Sequence, residues 1–323
     1  MTGCYTLDIE SKVIEYHLVL KRKYTILRGE SARGKSEILR RIMMKGTKIK
    51  CSVPVYILYD TMNVELALQS KNSIIIIDEG FDEFGSSAFI EMLQKSDNYF
   101  ILITRRKLSS IPYSMYEIYQ LSSENRLGKQ VTRNVLSNIY YNDISNIAFE
   151  PDLIITEDSN SGFQFFDKNG FNTLSSKSKS LVEKTLRLSM NKYSNIFVFV
   201  DGAAFGSEIQ DVMNLLEVPS QCRITIFAVE SFEYLLLKFC NVNSDMKVLD
   251  ETYNYCDKRF FDENFSNFEY SYPDTFESWE RFYKAYLSAL TMQDKEKVYS
   301  ESELNPYYYR FTKKILDYLK KML

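Results

Sequence analysis

Unbroken apolar runs recur along this chain, separated by stretches in which apolar residues return every three or four positions. Residues 74–77 are four consecutive isoleucines, and 24–27, 53–58, 99–103, 152–156, 195–200 and 223–229 are comparably apolar. A strand covered on both faces has no reason to alternate, so these runs predict central strands of parallel sheets. Residues 14–20 predict one more strand, leading into 24–27. Between the runs, Ile38, Leu39, Ile42 and Met43 fall on one helical face, and 178–191 and 207–216 also read as helices. Alternating strands and helices predict an α/β fold.

The alternation breaks near the middle. Residues 122–126 are polar and Gly128 interrupts the chain, which predicts a first domain over 1–125 and a connecting segment over 126–150. Within that segment, 131–141 reads as a strand or a short helix. A second α/β domain follows over 151–252. From 253 to 323 Tyr and Phe accumulate, predicting an aromatic-rich helical extension with its clearest helices at 276–283 and 307–323. Tyr308, Phe311, Ile315, Tyr318 and Leu319 share a face there, a stripe that reads as core before it reads as a partner surface.

Composition narrows the classes. At 323 residues the chain is long enough for two cores. With 43 acidic and 40 basic side chains the formal charge is −3, so bulk charge gives no support to a nucleic-acid partner. The basic clusters at 21–23, 40–41 and 105–107 read as solvated faces. Five cysteines (Cys4, Cys51, Cys222, Cys240, Cys256) lack any C-x-x-C spacing, which argues against a zinc site and for reduced thiols in a cytoplasm. No apolar run nears the roughly 20 residues needed to cross a bilayer, and residues 1–10 are too polar for a signal peptide. The expectation is a soluble cytoplasmic protein with no membrane partner. His17, the single histidine, lies within a strand pattern and reads as structural, which leaves any metal to carboxylates.

The strand 24–27 runs through Arg28 into Gly29-Glu30-Ser31-Ala32-Arg33-Gly34-Lys35-Ser36 and then into a helical pattern. This Gly-x-x-x-x-Gly-Lys-Ser spacing in a strand–loop–helix setting is the form of a phosphate-binding loop. Gly29 and Gly34 permit tight turns and close approach of backbone N–H groups to phosphate oxygens. Lys35 reaches the terminal phosphates, and the Ser36 hydroxyl ligates Mg²⁺. The isoleucine strand ends in Asp78-Glu79, two carboxylates that a buried strand would not carry without a task. Asp78 suits Mg²⁺ held through water, and Glu79 suits polarisation of an attacking water. A third strand ends in Thr104-Arg105-Arg106.

Residues 24–121 resemble a compact P-loop NTPase of the branch with an additional catalytic glutamate, which includes AAA-type and STAND ATPases. The resemblance implies a Walker A motif at Gly29–Ser36, a Walker B motif from Ile74 to Glu79, and a sensor-like Thr104-Arg105. Arg105 and Arg106 divide evenly between sensing nucleotide and forming an exposed basic turn. Neither an ABC signature nor a guanine-recognition pattern is present, so ATP is expected over GTP.

In the second domain three predicted strands end in carboxylates, at Glu157, Asp201 and Glu230. Acids gathered at the carboxyl edge of a sheet repel one another unless a cation joins them, and Mg²⁺ suits oxygen ligands. The arrangement is similar to the TOPRIM domain of topoisomerases, primases and OLD-type nucleases. That resemblance matches Glu157 to the first metal-binding acid and Asp201 to the first acid of a D-x-D motif. It fails at Ala203, where the second acid belongs; Asp158 or Glu233 would have to replace it. Two functions follow as expectations. One is a Mg²⁺-dependent ATPase coupled to a TOPRIM-like domain, in phage defence or DNA metabolism. The other is a nucleotide-gated module whose inactive TOPRIM-like scaffold presents a surface to another protein. A homo-oligomer stays open, since a neighbour's arginine often completes such sites.

Overall fold

The computed structural model describes residues 4–28, 35–58, 69–124, 131–140, 149–240, 279–300 and 302–322. The chain divides into two compact units at Tyr141/Asn142, and the described residues from Trp279 onward belong to the second.

The described strands of the first unit form one sheet: β1 (Tyr5–Glu10), β2 (Ile14–Leu20), β3 (Tyr24–Leu27), β4 (Lys48–Lys50), β5 (Val55–Leu58), β6 (Ile74–Asp78), β7 (Tyr99–Ile103), β8 (Ile118–Glu124) and β9 (Thr132–Asn138). Their order is β4-β1-β2-β9-β8-β3-β7-β6-β5. From β8 to β5 every pairing is parallel. On the other side β1 pairs antiparallel with β2 and β4, and β9 with β8.

The sheet is therefore mixed, which corrects the expected all-parallel sheet. Residues 132–138 are also a strand between β2 and β8, not part of a connecting segment. The cause is legible in the burial pattern. β1 buries Leu7 and Ile9, and β2 buries Tyr16, Leu18 and Leu20, with the intervening residues more exposed. That period of two belongs to a one-faced, antiparallel sheet. Ser11 closes the hairpin, its Oγ accepting the Ile14 N–H (3.1 Å) and donating to the Ile14 carbonyl (2.8 Å). His17 faces Asp8 across this ladder, Nδ1 to Oδ1 2.6 Å, in the structural role expected of it.

In the parallel half, all four isoleucines of β6 are fully buried, each contributing roughly 2 kcal/mol of burial. One face packs on α1 (Lys35–Met43) through Ile38, with Leu39 and Ile42 beside it. Met43, expected on that face, is 58% exposed because the helix ends there. The other face receives α2 (Ser87–Lys95), which buries Phe89 and Leu93. There the Tyr24 ring stacks on Phe100, centroids 6.0 Å apart, and its hydroxyl donates to the Leu93 carbonyl (3.2 Å). Ser86 caps α2 by accepting the Phe89 N–H (3.1 Å). The buried Asn98 ties the entries of β6 and β7: its carbonyl accepts the Ser73 N–H (2.9 Å) and its amide donates to Ser70 (2.9 Å). Both strands consequently finish level with β3, with Leu27, Ile103 and Asp78 in one register row.

The second unit runs β10 (Leu153–Thr156), α3 (Ser161–Lys168), β11 (Thr173–Ser175), α4 (Val182–Ser189), β12 (Asn195–Asp201), α5 (Ile209–Leu216), β13 (Arg223–Val229), α6 (Phe232–Cys240), α7 (Trp279–Thr291) and α8 (Thr312–Met322). Its sheet has the order β11-β10-β12-β13 and is wholly parallel. The three expected strands are present; α3 and the short edge strand β11 were not foreseen. The chain moves from β10 to one side and then crosses to β12 on the other. Such a reversal opens a crevice at the carboxyl ends of β10 and β12.

Residues 279–322 are part of this unit's core, not a separate extension. Tyr283 of α7 packs edge-on against Tyr234 of α6, centroids 5.2 Å apart. Tyr308, Ile315 and Leu319 are fully buried, as their spacing predicts. The described cysteines, Cys4, Cys51, Cys222 and Cys240, form no disulfide. Among the described residues no helix is long and apolar enough to cross a membrane.

Candidate functional site

Two groups of polar side chains gather at sheet edges, one in each unit. In the first unit, residues 29–34 lie outside the described residues, so Gly29, Glu30, Ser31, Ala32, Arg33 and Gly34 receive no structural account. Lys35 and Ser36 open α1, and only their helical backbone is described. What frames the loop is described. β3 enters it, and β7 separates β3 from β6. At about 4.8 Å per strand, the Asp78 backbone stands roughly 10 Å from the end of β3.

Asp78 ends β6 half-exposed, and among the described residues its carboxylate accepts only the Gly80 N–H (3.0 Å). A Cβ on Gly80 would sit 3.3 Å from Asp78 Oδ1, so the small residue keeps that oxygen accessible. Glu79 turns toward β7. Its backbone N–H reaches the Ile103 carbonyl (2.9 Å), while its Oε2 accepts the Thr104 hydroxyl (3.0 Å) and the Arg105 N–H (2.8 Å). Partial burial pushes the Glu79 pKa up. The two hydrogen bonds and the charges of Arg105 and Arg106 outweigh it and leave the carboxyl below its ordinary value. Glu79 is thus an ionised, fixed carboxylate at neutral pH.

Thr104 is 1% exposed and spends its hydroxyl inside the protein, donating to Glu79 and accepting the Arg106 N–H (2.8 Å). The sensor-like threonine therefore positions the glutamate. Arg105 is exposed, and its backbone, not its side chain, holds Glu79. Arg106 Nη1 donates to the Phe84 carbonyl (3.4 Å).

Sequence reasoning passed over Arg28. Arg28 as a whole is 9% exposed, and its guanidinium donates to the hydroxyls of Tyr113 (3.1 Å) and Tyr140 (3.5 Å), while Nε makes no hydrogen bond among the described residues. Among the described residues this buried cation is met only by phenol hydroxyls, one residue before Gly29, a setting that favours an anion nearby. The signal available was an arginine closing a buried strand.

In the second unit, Glu157 and Asp201 do meet at the β10/β12 crevice. Glu157 Oε2 accepts the Asp201 N–H (3.2 Å), and Asp201 Oδ1 accepts the Phe232 N–H at the start of α6 (3.1 Å). Glu233, one residue further on, is 2% exposed. Its Oε1 accepts the hydroxyls of Ser161 (3.1 Å) and Tyr299, and its Oε2 has no hydrogen bond. Burial, then the charges of Glu280, Glu233 and Glu157, hold Asp201 well above the usual aspartate value, against the pull of Lys284. Burial and Glu280 push Glu157 up to about 8. Burial also raises Glu233, opposed by Lys284 and the Tyr299 hydroxyl.

Glu233 is a further acid whose charge acts on Asp201. Glu230, expected there, is buried at the end of β13, where its backbone carbonyl accepts the Ala203 N–H (3.1 Å). Asp158 lies beside Glu157 and adds to the rise in its pKa. Ala203 is 2% exposed and brings no oxygen ligand. Among the described residues no group of three or more His, Cys, Asp or Glu is arranged to hold a metal ion.

Two further charges that act on Asp201, Glu280 and Lys284, come from α7 and form an ion pair of 2.8 Å. They were missed because a Glu-x-x-x-Lys pair on a helix ordinarily marks a solvated face. No family model, curated protein or solved structure matches the chain.

Proposed function

We propose that the first unit binds ATP with Mg²⁺ and hydrolyses it. The loop Gly29–Ser36 cradles the phosphates, Lys35 neutralises the terminal ones, and Ser36 with Asp78 holds the metal. Glu79 orients the attacking water. The observation that carries this reading is the fixing of Glu79 by Thr104 and Arg105, at strand ends level with the end of β3. A carboxylate held in one orientation and kept ionised is what water activation asks for. Arg28 adds buried positive charge at the same strand end, which favours a triphosphate.

The deciding measurement is Mg²⁺-dependent ATP turnover by wild type and Glu79→Gln at matched nucleotide occupancy. Turnover falling at least 100-fold in the variant, with ATP affinity within about threefold, supports hydrolysis through Glu79. Tight binding without turnover in either protein leaves ATP as a conformational ligand only. Unchanged ATP affinity in Lys35→Ala removes the nucleotide reading altogether.

For the second unit a non-catalytic role is favoured by one observation, the buried Ala203 where the TOPRIM resemblance calls for an acid. Its TOPRIM-like sheet then acts as a scaffold presenting a surface to a partner protein under nucleotide control, in a setting of phage defence or DNA metabolism. DNA cleavage by wild type in Mg²⁺ or Mn²⁺, lost in both Glu157→Ala and Asp201→Ala, would replace this with a nuclease.

A further inference from the structure

The last helix of the second unit carries charge that the fold does not use. Helices α1, α2, α4 and α7 each pair a base with an acid three or four residues away. Helix α8 has four lysines against one acid, Asp317. Lys313, Lys314, Lys320 and Lys321 are exposed, and among the described residues none of them makes an ion pair. The helix dipole accounts for Lys320 and Lys321, which lie in the negative last turn. It opposes Lys313 and Lys314, which stand in a first turn without an acid. Arg310, also exposed, adds a fifth base in the short 3₁₀ stretch Pro306–Phe311 just before α8. Helix stability does not explain this face.

Aromatic rings lie among these bases. Arg310 stands over the Tyr307 ring (5.8 Å to its centroid), Lys314 over Phe311 (5.8 Å), and Lys238 of α6 over Tyr318 (5.1 Å). Packing holds the rings in place. Tyr307 meets Phe311 with centroids 5.4 Å apart, and its hydroxyl donates to the Cys240 carbonyl at the end of α6 (3.2 Å). Tyr318 meets Phe239 of α6 at 5.2 Å. Tyr308, Ile315 and Leu319 fill the core beneath, while Tyr307, Phe311 and Tyr318 stay half-buried at its margin. Cations and ring faces thus alternate along one surface.

We infer that this α8 face binds single-stranded nucleic acid, with its lysines and Arg310 on phosphates and Phe311 and Tyr318 against bases. The complementarity is double. A single strand brings regularly spaced negative charge and unpaired bases that stack on aromatic rings. A duplex keeps its bases stacked inside, and an acidic protein offers carboxylates to the lysines but nothing flat to the rings. The net charge of −3 conceals the face, because charge averaged over a chain does not register a local stripe. The inference is independent of nucleotide binding in the first unit.

The test is fluorescence anisotropy of a labelled 15-nucleotide thymidine strand, titrated with the full chain in the absence of ATP. Five phosphate contacts predict a slope of log K against log salt of about −3.5. Lys313→Gln/Lys314→Gln should weaken binding at least tenfold at about 50 mM salt and bring the slope to about −2. Phe311→Leu keeps an apolar side chain and removes the ring; it should weaken binding at least fivefold with the slope unchanged. Should Phe311→Leu fail to fold, Tyr318→Leu takes its place. Absence of wild-type binding would overturn the inference, as would affinity indifferent to the lysine pair. Dependence on the lysines but not on the ring, or equal affinity for a 15-base-pair duplex or for polyglutamate, would overturn it equally, making the face a general polyanion or acidic-protein surface.

Discussion

Glu79 shows how much a single side chain owes to its neighbours. Its identity as a strand-end acid is plain in the sequence, but its orientation comes from Thr104 and the Arg105 N–H, on a strand 25 residues further along the chain. Thr104→Ala removes one of two hydrogen bonds to a charged group, a loss of about 1.5–3 kcal/mol in fixing the carboxylate. Steady-state ATP turnover should fall roughly 10- to 100-fold, with ATP affinity nearly unchanged, and Thr104→Ser should restore most of it. A fall in affinity instead would make Thr104 a direct nucleotide contact. The lowered Glu79 pKa also sets a sign. The acid limb of the turnover profile should lie below the ordinary glutamate range and move upward in Thr104→Ala, since the variant loses a hydrogen bond that favours the ionised form.

Strands and helices were legible where one face or two faces are decided locally. The isoleucine run of β6 could only be a doubly covered strand, and its core position predicts the cost of cutting it. Ile76→Ala should destabilise the first unit by about 3 kcal/mol in denaturant unfolding, whereas Met43→Ala, at an exposed helix end, should cost under about 0.5 kcal/mol. Ser231 offers a companion test in the second unit, because its hydroxyl accepts the Tyr234 N–H (3.1 Å) and caps α6. Ser231→Ala should cost about 1 kcal/mol. Elements that depend on distant partners were harder to see. β11 is three residues long and exists by pairing with β10. Thr132–Asn138 reads ambiguously until β2 and β8 are there to flank it.

For the whole molecule the buried acids of the second unit give a pH dependence. Glu157 takes up its proton at about 8 in the folded protein against 4.5 for the free side chain. Between those values the folded state binds more protons than the unfolded chain, so stability falls as pH rises through that window. In chelator-treated protein, the second unit's unfolding midpoint should decline from about pH 5 to about pH 8. Glu157→Gln should flatten much of that slope, since it holds the neutral hydrogen-bonding form at every pH. A slope of opposite sign would mean that the acid is ionised in the fold.

Read alone, the sequence determined the α/β class, the parallel strands of both units, and the acids at their ends. Strand burial is set by the residues of the strand itself, and chemistry at a strand end follows from its last residue. Only the tertiary structure decided the antiparallel pairings of the first sheet, the meeting of Glu157 with Asp201, and the charges of Glu233, Glu280 and Lys284 that act on Asp201. Each of these depends on groups far apart in the chain being brought together, and no local pattern encodes a distance across a fold.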